Sequence, residues 1–418
     1  MSSKPSTELP AISSAEWLNW PETQKVFEAI GGGTDALRAV GGAVRDALLG
    51  REVKDVDLAT PMLPEDVQQR AEAAGLKVVP SGIEHGTVTV IVDGRPFEIT
   101  TLRKDVETFG RHAKVTFTDD WHEDASRRDF TINALYADAS GTLFDPLGAI
   151  DDVVARRLRF IGDARARVQE DYLRILRFFR FSAELNSTSF DEASLRACIQ
   201  EREGLEVLSS ERVQAELLRL LRASGASRAL AAMFDYGLLV GVLGSVPQLA
   251  RFDNLAAIET ELGLGPDAIL RLAALALWTP YDAERLFDRL RLSNADKSKL
   301  EAAAEFGSIV ADIYDGDILW GLYQRGRDDF MSAALLAWAA TGAPPGDPLW
   351  RGMIARIDEL EIPDFPVSGA DVMKLGVEEG PAVGELINAL EVHWMASGFE
   401  VSKSDLLEFA RELKPDVP

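Results

Sequence analysis

"GGAVRDALLGREVKDVDLAT", residues 41–60, compresses a turn, a short helix and a strand into one stretch. Gly41-Gly42 lets the backbone turn sharply and approach a ligand closely. "AVRDALLG" has helical spacing, with Gly50 as its stop. "VKDVDLAT" alternates with period two and reads as a strand. Asp55 and Asp57, two apart on that strand, point to one face, while Val56 and Leu58 point to the other. Alone, such a pair reads as two solvated acids on an edge strand. Behind Gly41-Gly42 and Arg45 it reads as a phosphate cradle facing two oxygen ligands. The helix start directs N–H groups toward an anion, and Arg45 can reach the same anion. Two like charges side by side repel unless a cation lies between them, and hard oxygen donors suit Mg²⁺.

The neighbouring sequence extends this pattern into a mixed α/β region. "ALRAV" before the glycines reads as a strand, and "PEDVQQRAEAAG" as a helix with a glycine stop. "GTVTVIVDGRPFEITTL" reads as two strands joined by a tight turn at Asp93-Gly94. "TINALYAD" and "LFDPLG" close the region near residue 150. From "DARARVQEDYLRILRFFRF" onward, strand signals almost vanish and apolar residues recur at helical spacing. The expected fold is α+β: a small mixed sheet with helices, followed by a long all-helical remainder. A chain of 418 residues exceeds one compact core. The expected divisions are an N-terminal helical extension (1–35), a head (36–150), a neck (151–185), a helical body (186–310) and a helical tail (311–418).

Hydrophobic residues make up 46% of the chain and charged residues 27%, a composition that excludes wholesale disorder. No uninterrupted apolar run is long enough to span a bilayer, so no membrane is expected as a partner. The N-terminus lacks the basic start and apolar core of a signal peptide. The single cysteine, Cys198, excludes a disulfide framework and a cysteine-based zinc site. These features together lead us to expect the cytoplasm. The net charge of −24 opposes general affinity for nucleic acid. Its distribution softens that objection, because residues 156–180 hold 8 Lys+Arg against 3 Asp+Glu. Such a basic strip can hold RNA on an acidic protein.

Two later segments carry further chemistry. In "SRRDFTINALY", residues 126–136, Arg128 can contact a phosphate or ribose. Asp129 can buttress it or cap the helix-like run that follows. In "EDYLRILRFFRF", residues 170–181, Leu173, Leu176 and Phe179 form a candidate buried stripe. Read as one helix, the segment makes Asp171 and Arg174 neighbours at i and i+3 on another face. A carboxylate acceptor beside a guanidinium donor matches the edge that both cytosine and adenine present, an amino donor next to a ring-nitrogen acceptor. Uracil and guanine present the reverse order and would leave buried polar groups unpaired. Arg177 continues the series and suits a triphosphate or ribose. Arg180 falls nearly opposite Asp171 around a regular helix. The segment also reads as an ordinary amphipathic helix with an internal salt bridge.

Taken together, these motifs resemble class II tRNA nucleotidyltransferases, the CCA-adding enzymes, and their relatives the bacterial poly(A) polymerases. "GGAVRDALLGREVKDVDLAT" is similar to the nucleotidyltransferase signature, "RRDFTINAL" to the ribose-recognition motif and "EDYLRILRFFRF" to the motif that selects C and A. "HGTVTV" and "FEITTLR" fit the head. "LSSERVQAELLRLL", "LRLSN" and "ADVMKLGVEEGPAVGELINAL" resemble the helical body and tail. The resemblance implies a five-stranded head related to DNA polymerase β. It implies that Asp55 and Asp57 hold two divalent metal ions, with Glu98 as a candidate third catalytic carboxylate. Gly41, Gly42 and Arg45 would contact the triphosphate, Arg128 the ribose or a phosphate, and Asp129 would be a further nucleotide-binding residue. Asp171 and Arg174 would read the base, with Arg177 and Arg180 as further nucleotide contacts. Some relatives append a phosphohydrolase domain marked by a His-Asp pair. None of the four histidines here, His85, His112, His122 and His393, precedes an aspartate. His85 reads as a turn or loop histidine.

The implied reaction is template-independent addition of CCA to the tRNA 3′ end from CTP and ATP, with release of pyrophosphate. The partners are tRNA, ATP and CTP; the oligomeric state is left open. The charged segment 103–124 is expected to be a mobile loop that helps the switch from C to A. Rival activities on the same motifs are poly(A) synthesis and addition of CC only or of the last A only. A rival of another class is a non-catalytic RNA-binding protein, which would not need paired carboxylates near a polyanion.

Overall fold

A computed structural model describes residues 12–32, 36–79, 82, 86–109, 112–307 and 318–413. The chain divides into two compact units, 1–247 and 248–418. His85 lies outside the described residues.

Among the described residues, the segment before the head contains short helices. A 3-10 turn at Glu16–Asn19 leads into α1 (Pro21–Val26), which tightens into a π turn at Phe27–Gly31. It is fastened to the head by Ile12 N donating to Gly141 O (3.2 Å) and by the Arg95 guanidinium 3.6 Å from the Trp20 ring centre.

The head is built on a mixed sheet of β1 (Arg38–Val40), β2 (Asp57–Thr60), β3 (Lys77–Val79), β4 (Thr87–Val92), β5 (Arg95–Thr101), and the two-residue strands Tyr136–Ala137 and Leu143–Phe144. The spatial order is β3-β4-β5-β2-β1, followed by the two short strands. The sheet therefore has seven strands where the resemblance implied five. The short pair at the β1 edge makes the difference. Only β2 and β5 run parallel, with Asp57 opposite Glu98 and Leu58 opposite Ile99. That pairing needs a crossover, supplied by α3 (Pro64–Ala73), β3 and β4. The turn at Asp93-Gly94 has both residues at positive φ, 49° and 88°, as a two-residue hairpin requires.

The segment expected to be a loop holds two strands and a helix among its described residues. β6 (Arg103–Phe109) and β7 (His112–Phe117) form an antiparallel pair with a register shift at Asp105/Glu107, and α4 (Trp121–Ser126) follows. The segment carries many charged residues and little apolar alternation, so the pairing left no signature in the sequence. A second expectation also changes. "TINALY" is not helical: one 3-10 turn at Thr131–Asn133 gives way to the strand at Tyr136. Val40, Ala59, Leu102, Ala125, Ala134, Tyr136 and Ile161 close the core beneath it.

After Phe144 unit 1 is mainly helical: α5 (Ile150–Val154), α6 (Ala164–Glu170), α7 (Leu173–Glu184), α8 (Glu192–Gln200), α9 (Ser210–Arg222), α10 (Ala226–Asp235) and α11 (Leu239–Leu243). The stripe of α7 is buried as expected, at Leu173, Leu176 and Phe179, and Ile175 and Phe178 join it. Phe130, Phe160, Phe178 and Phe181 stack between the head and α7, with ring centres 4.7–6.4 Å apart. This aromatic seam fixes α7 against the sheet.

The second unit is all-helical among the described residues. Its most buried helix, Ala268–Ala276, is capped at its C-terminal end by Arg251, whose guanidinium donates to the carbonyls of Ala273, Ala274 and Leu277. A smaller cluster around Val367, Val372, Leu390, Trp394 and Leu406 holds the last helices together. Among the described residues, no helix is long and apolar enough to cross a membrane.

Candidate active site

The turn at Gly41 sets the geometry. Its φ of 72° is a left-handed value that side chains resist, and its N–H donates to Leu135 O (3.1 Å). The chain thereby reverses from β1 into α2 (Gly42–Leu48), whose first turn opens on a cleft of about 540 Å³. Gly41, Gly42, Arg45, Asp55, Asp57, Arg128, Asp129, Arg177 and Arg180 all line this cleft, together with Asp46, Asn133, Phe181 and Arg219.

Asp55 and Asp57 face the cleft as their spacing predicts, with Val56 and Leu58 buried behind them. Only Asp57 belongs to β2, however; Asp55 lies in the extended chain before it. Asp57 is open to the cleft, yet the surrounding walls displace much of its water. That loss of solvation, then Glu98, then Asp55 push its carboxyl above the usual range, against the pull of Arg128. This crowding of negative charge is what a divalent cation would relieve. Glu98 is the register partner of Asp57 but does not line the cleft. Among the described residues, no third acidic, His or Cys side chain completes a metal cluster. Two carboxylates fit Mg²⁺, which usually takes one or two and fills its remaining positions with water and substrate phosphate.

The arginines of the lining are tightly wired. Arg45 is 9% exposed; Nε and Nη2 donate to Asp46 (3.0 and 2.7 Å) and Nη1 to Asn133 Oδ1 (2.8 Å). Arg128 is buttressed by Asp124, not by Asp129 as expected. Asp124, 1% exposed, also takes Arg127 Nε (2.8 Å) and the Tyr136 hydroxyl (2.8 Å). Burial alone would raise the Asp124 carboxyl, but Arg128 and Arg127 hold it below its ordinary value. Asp129 does not cap a helix either. Its Oδ1 accepts from Phe130 N (2.8 Å) and Asn133 Nδ2 (3.0 Å), and its Oδ2 from Arg177 Nε (2.8 Å). Burial opposes its ionisation, yet Arg177 and Asn133 outweigh that and lower its pKa. Arg180, 4% exposed, is held by Glu216 and Glu184. The Phe181 ring lies under three guanidiniums: Arg180 at 3.8 Å, and Arg45 and Arg177 at 5.2 Å.

Asp171 and Arg174 stand apart from this lining. They do not share one helix. Asp171 is extended (φ −156°, ψ 105°), ending α6, and its Oδ1 accepts from Leu173 N (3.1 Å) at the start of α7. An aspartate favours such a capping place over a helix interior. Its carboxylate is instead paired with Arg212 of α9, while Arg174 Nη1 donates to Glu170 Oε2 and Arg167 O. Asn133, Asp124, Glu216, Arg212 and Phe181 were missed in the sequence. Each lay inside a stretch already singled out, Asp124 in 103–124 and Arg212 and Glu216 in "LSSERVQAELLRLL", but none was given a role.

Residues 37–159 match the family model "Poly A polymerase head domain", and residues 189–252 match "Probable RNA and SrmB- binding site of polymerase A". The chain is 32% identical over 408 residues to mitochondrial CCA tRNA nucleotidyltransferase 1 of Mus musculus, covering 94% of this chain and 93% of that one. It is 35% identical over 367 residues to the CCA-adding enzyme of Geobacillus stearothermophilus, covering 84% and 86%. The crystal structure of the Bacillus stearothermophilus CCA-adding enzyme in complex with CTP superposes with a TM-score of 0.72 at 30% identity, covering 94% of this chain and 96% of that one.

Proposed function

Because the chain belongs to the family of CCA tRNA nucleotidyltransferases, we propose that its cleft joins nucleotides from CTP and ATP to the 3′ end of tRNA. The product is the CCA end, and pyrophosphate is released. The observation that carries this reading is that Asp55 and Asp57 line one cleft together with Arg45, Arg128, Arg177 and Arg180. Guanidiniums accept a triphosphate, and a carboxylate pair in the same cleft accepts cations that screen it.

In this reading Gly41 and Gly42 let backbone N–H groups close on the phosphates, and Arg45 and Arg128 neutralise them. Asp55 and Asp57 would hold Mg²⁺, which supplies Lewis acidity and lowers the pKa of a bound hydroxyl. The RNA 3′-hydroxyl attacks the α-phosphate, the bond to the β-phosphate breaks, and the chain contributes mainly by positioning. Asp171, oriented by Arg212, and Arg174, once Glu170 makes room, would select the base. Glu98 would act on Asp57 through charge rather than as a ligand. The proposed setting is the cytoplasm, and Cys198 is fully buried and unpaired there.

The experiment is substitution of Asp55 by alanine with two readouts. Incorporation of CMP should fall by about a thousandfold or more, while binding of tRNA stays near that of the parent protein. Undiminished incorporation overturns the assignment of the cleft. Equal loss of binding favours the RNA-binding reading over the enzymatic one.

A further inference from the structure

A run of linked polar groups borders the cleft, and one member differs in kind. From Asp46 it passes to Arg45, Asn133, Asp129, Arg177, Glu216, Arg180 and Glu184. Arg51 joins it at both ends, donating to the main-chain carbonyl of Glu184 (2.6 Å) and lying 3.9 Å from Asp46. Eight of these nine groups carry charge, four of each sign. Asn133, 8% exposed, is the neutral one.

Its chemistry explains why. The neighbour on one side is a donor, Arg45 Nη1, 2.8 Å from Asn133 Oδ1. The neighbour on the other side is an acceptor, Asp129 Oδ1, 3.0 Å from Asn133 Nδ2. An amide offers one acceptor and one donor group at this span. A carboxylate there would face Asp129 with like charge, and an apolar side chain would leave both neighbours short of a partner. Arg45 and the Asp129–Arg177 pair come from chain segments far apart and are joined through this amide.

We propose that Asn133 is a positioning residue for the nucleoside triphosphate. It holds Arg45, at the phosphate end, in register with the Asp129–Arg177 pair on α7, so that both guanidiniums meet one bound nucleotide. This rests on the reading of the cleft as the nucleotide site. The link acts through the two arginines, so its loss appears in nucleotide affinity before it appears in the chemical step.

The test is steady-state addition of one CMP by the full chain carrying N133L, R45Q, R177Q, and each double variant with N133L. Melting temperature and tRNA affinity are measured in parallel. N133L should raise the KM for CTP by about tenfold or more, the cost of leaving buried groups unpaired, with a smaller change in kcat. N133L with R177Q should raise KM little beyond the larger single effect, because the link is already broken. Effects that multiply, or a KM that stays at the parent value in N133L, overturn the proposal. If R45Q and R177Q themselves leave KM unchanged, the nucleotide reading of the cleft falls instead. Should N133L not fold, N133D serves. It keeps the acceptor toward Arg45 and loses the donor toward Asp129, and the same KM increase is expected.

Discussion

The carboxylate of Asp171 is paired with Arg212, not with Arg174. Nη1 and Nη2 of Arg212 reach Oδ1 and Oδ2 at 3.1 and 2.6 Å, a bidentate fork across from α9. Such a fork fixes the plane of the carboxylate and leaves its remaining lone pairs for another donor. If Asp171 reads the base, Arg212 orients it. Substituting Arg212 by glutamine should therefore relax discrimination more than it slows addition. In competition between CTP and UTP on one tRNA, UMP incorporation relative to CMP should rise about tenfold. An unchanged ratio would remove Arg212 from base selection.

Asp124 supports Arg128 from beneath, and its ionisation is part of the stability of the head. Its carboxyl lies below the ordinary value in the folded protein because Arg128 and Arg127 outweigh the cost of burial. A depressed carboxyl contributes stability that is present above the unfolded pKa and is lost as pH falls through the folded one. The parent protein should lose this contribution below about pH 4. D124N should cost about 3 kcal/mol at neutral pH, since two arginines lose a buried partner. The difference between parent and variant should shrink on acidification. Denaturant titrations at pH 7 and pH 3.5 measure it, and a difference independent of pH would contradict the account.

The β6–β7 pair is a two-stranded ladder outside the seven-stranded sheet. Isolated two-stranded ladders are marginally stable, which suits an element that shifts between two steps of a reaction. Shortening it should spare C addition and impair A addition. Equal loss of both in single-turnover assays would count against a role in the switch.

The outcome follows the range of the forces involved. The turn at Gly41, the stop at Gly50, the Asp93-Gly94 hairpin and the shared face of Asp55 and Asp57 were legible because each is set within a few residues. The break at Asp171 was not, because α6 and α7 are both helical and their apolar spacing runs across the junction. Arg45 meets Asn133 across 88 residues, and Arg177 meets Asp129 across 48. No local pattern announces such pairs. The two-residue strand at Tyr136 was hidden for a related reason: its partner is β1, and "TINAL" alone reads as a helix.

The central claim is the product made at the cleft of Asp55 and Asp57. The direct measurement offers tRNA lacking its 3′ CCA to the purified protein with CTP alone, ATP alone and both together, and sequences the extended ends. The account predicts CC with CTP alone, little addition with ATP alone, and a defined CCA end with both. Runs of A would show a poly(A) polymerase, ends stopping at CC in the presence of ATP would show a partial enzyme, and no extension under any condition would contradict the account.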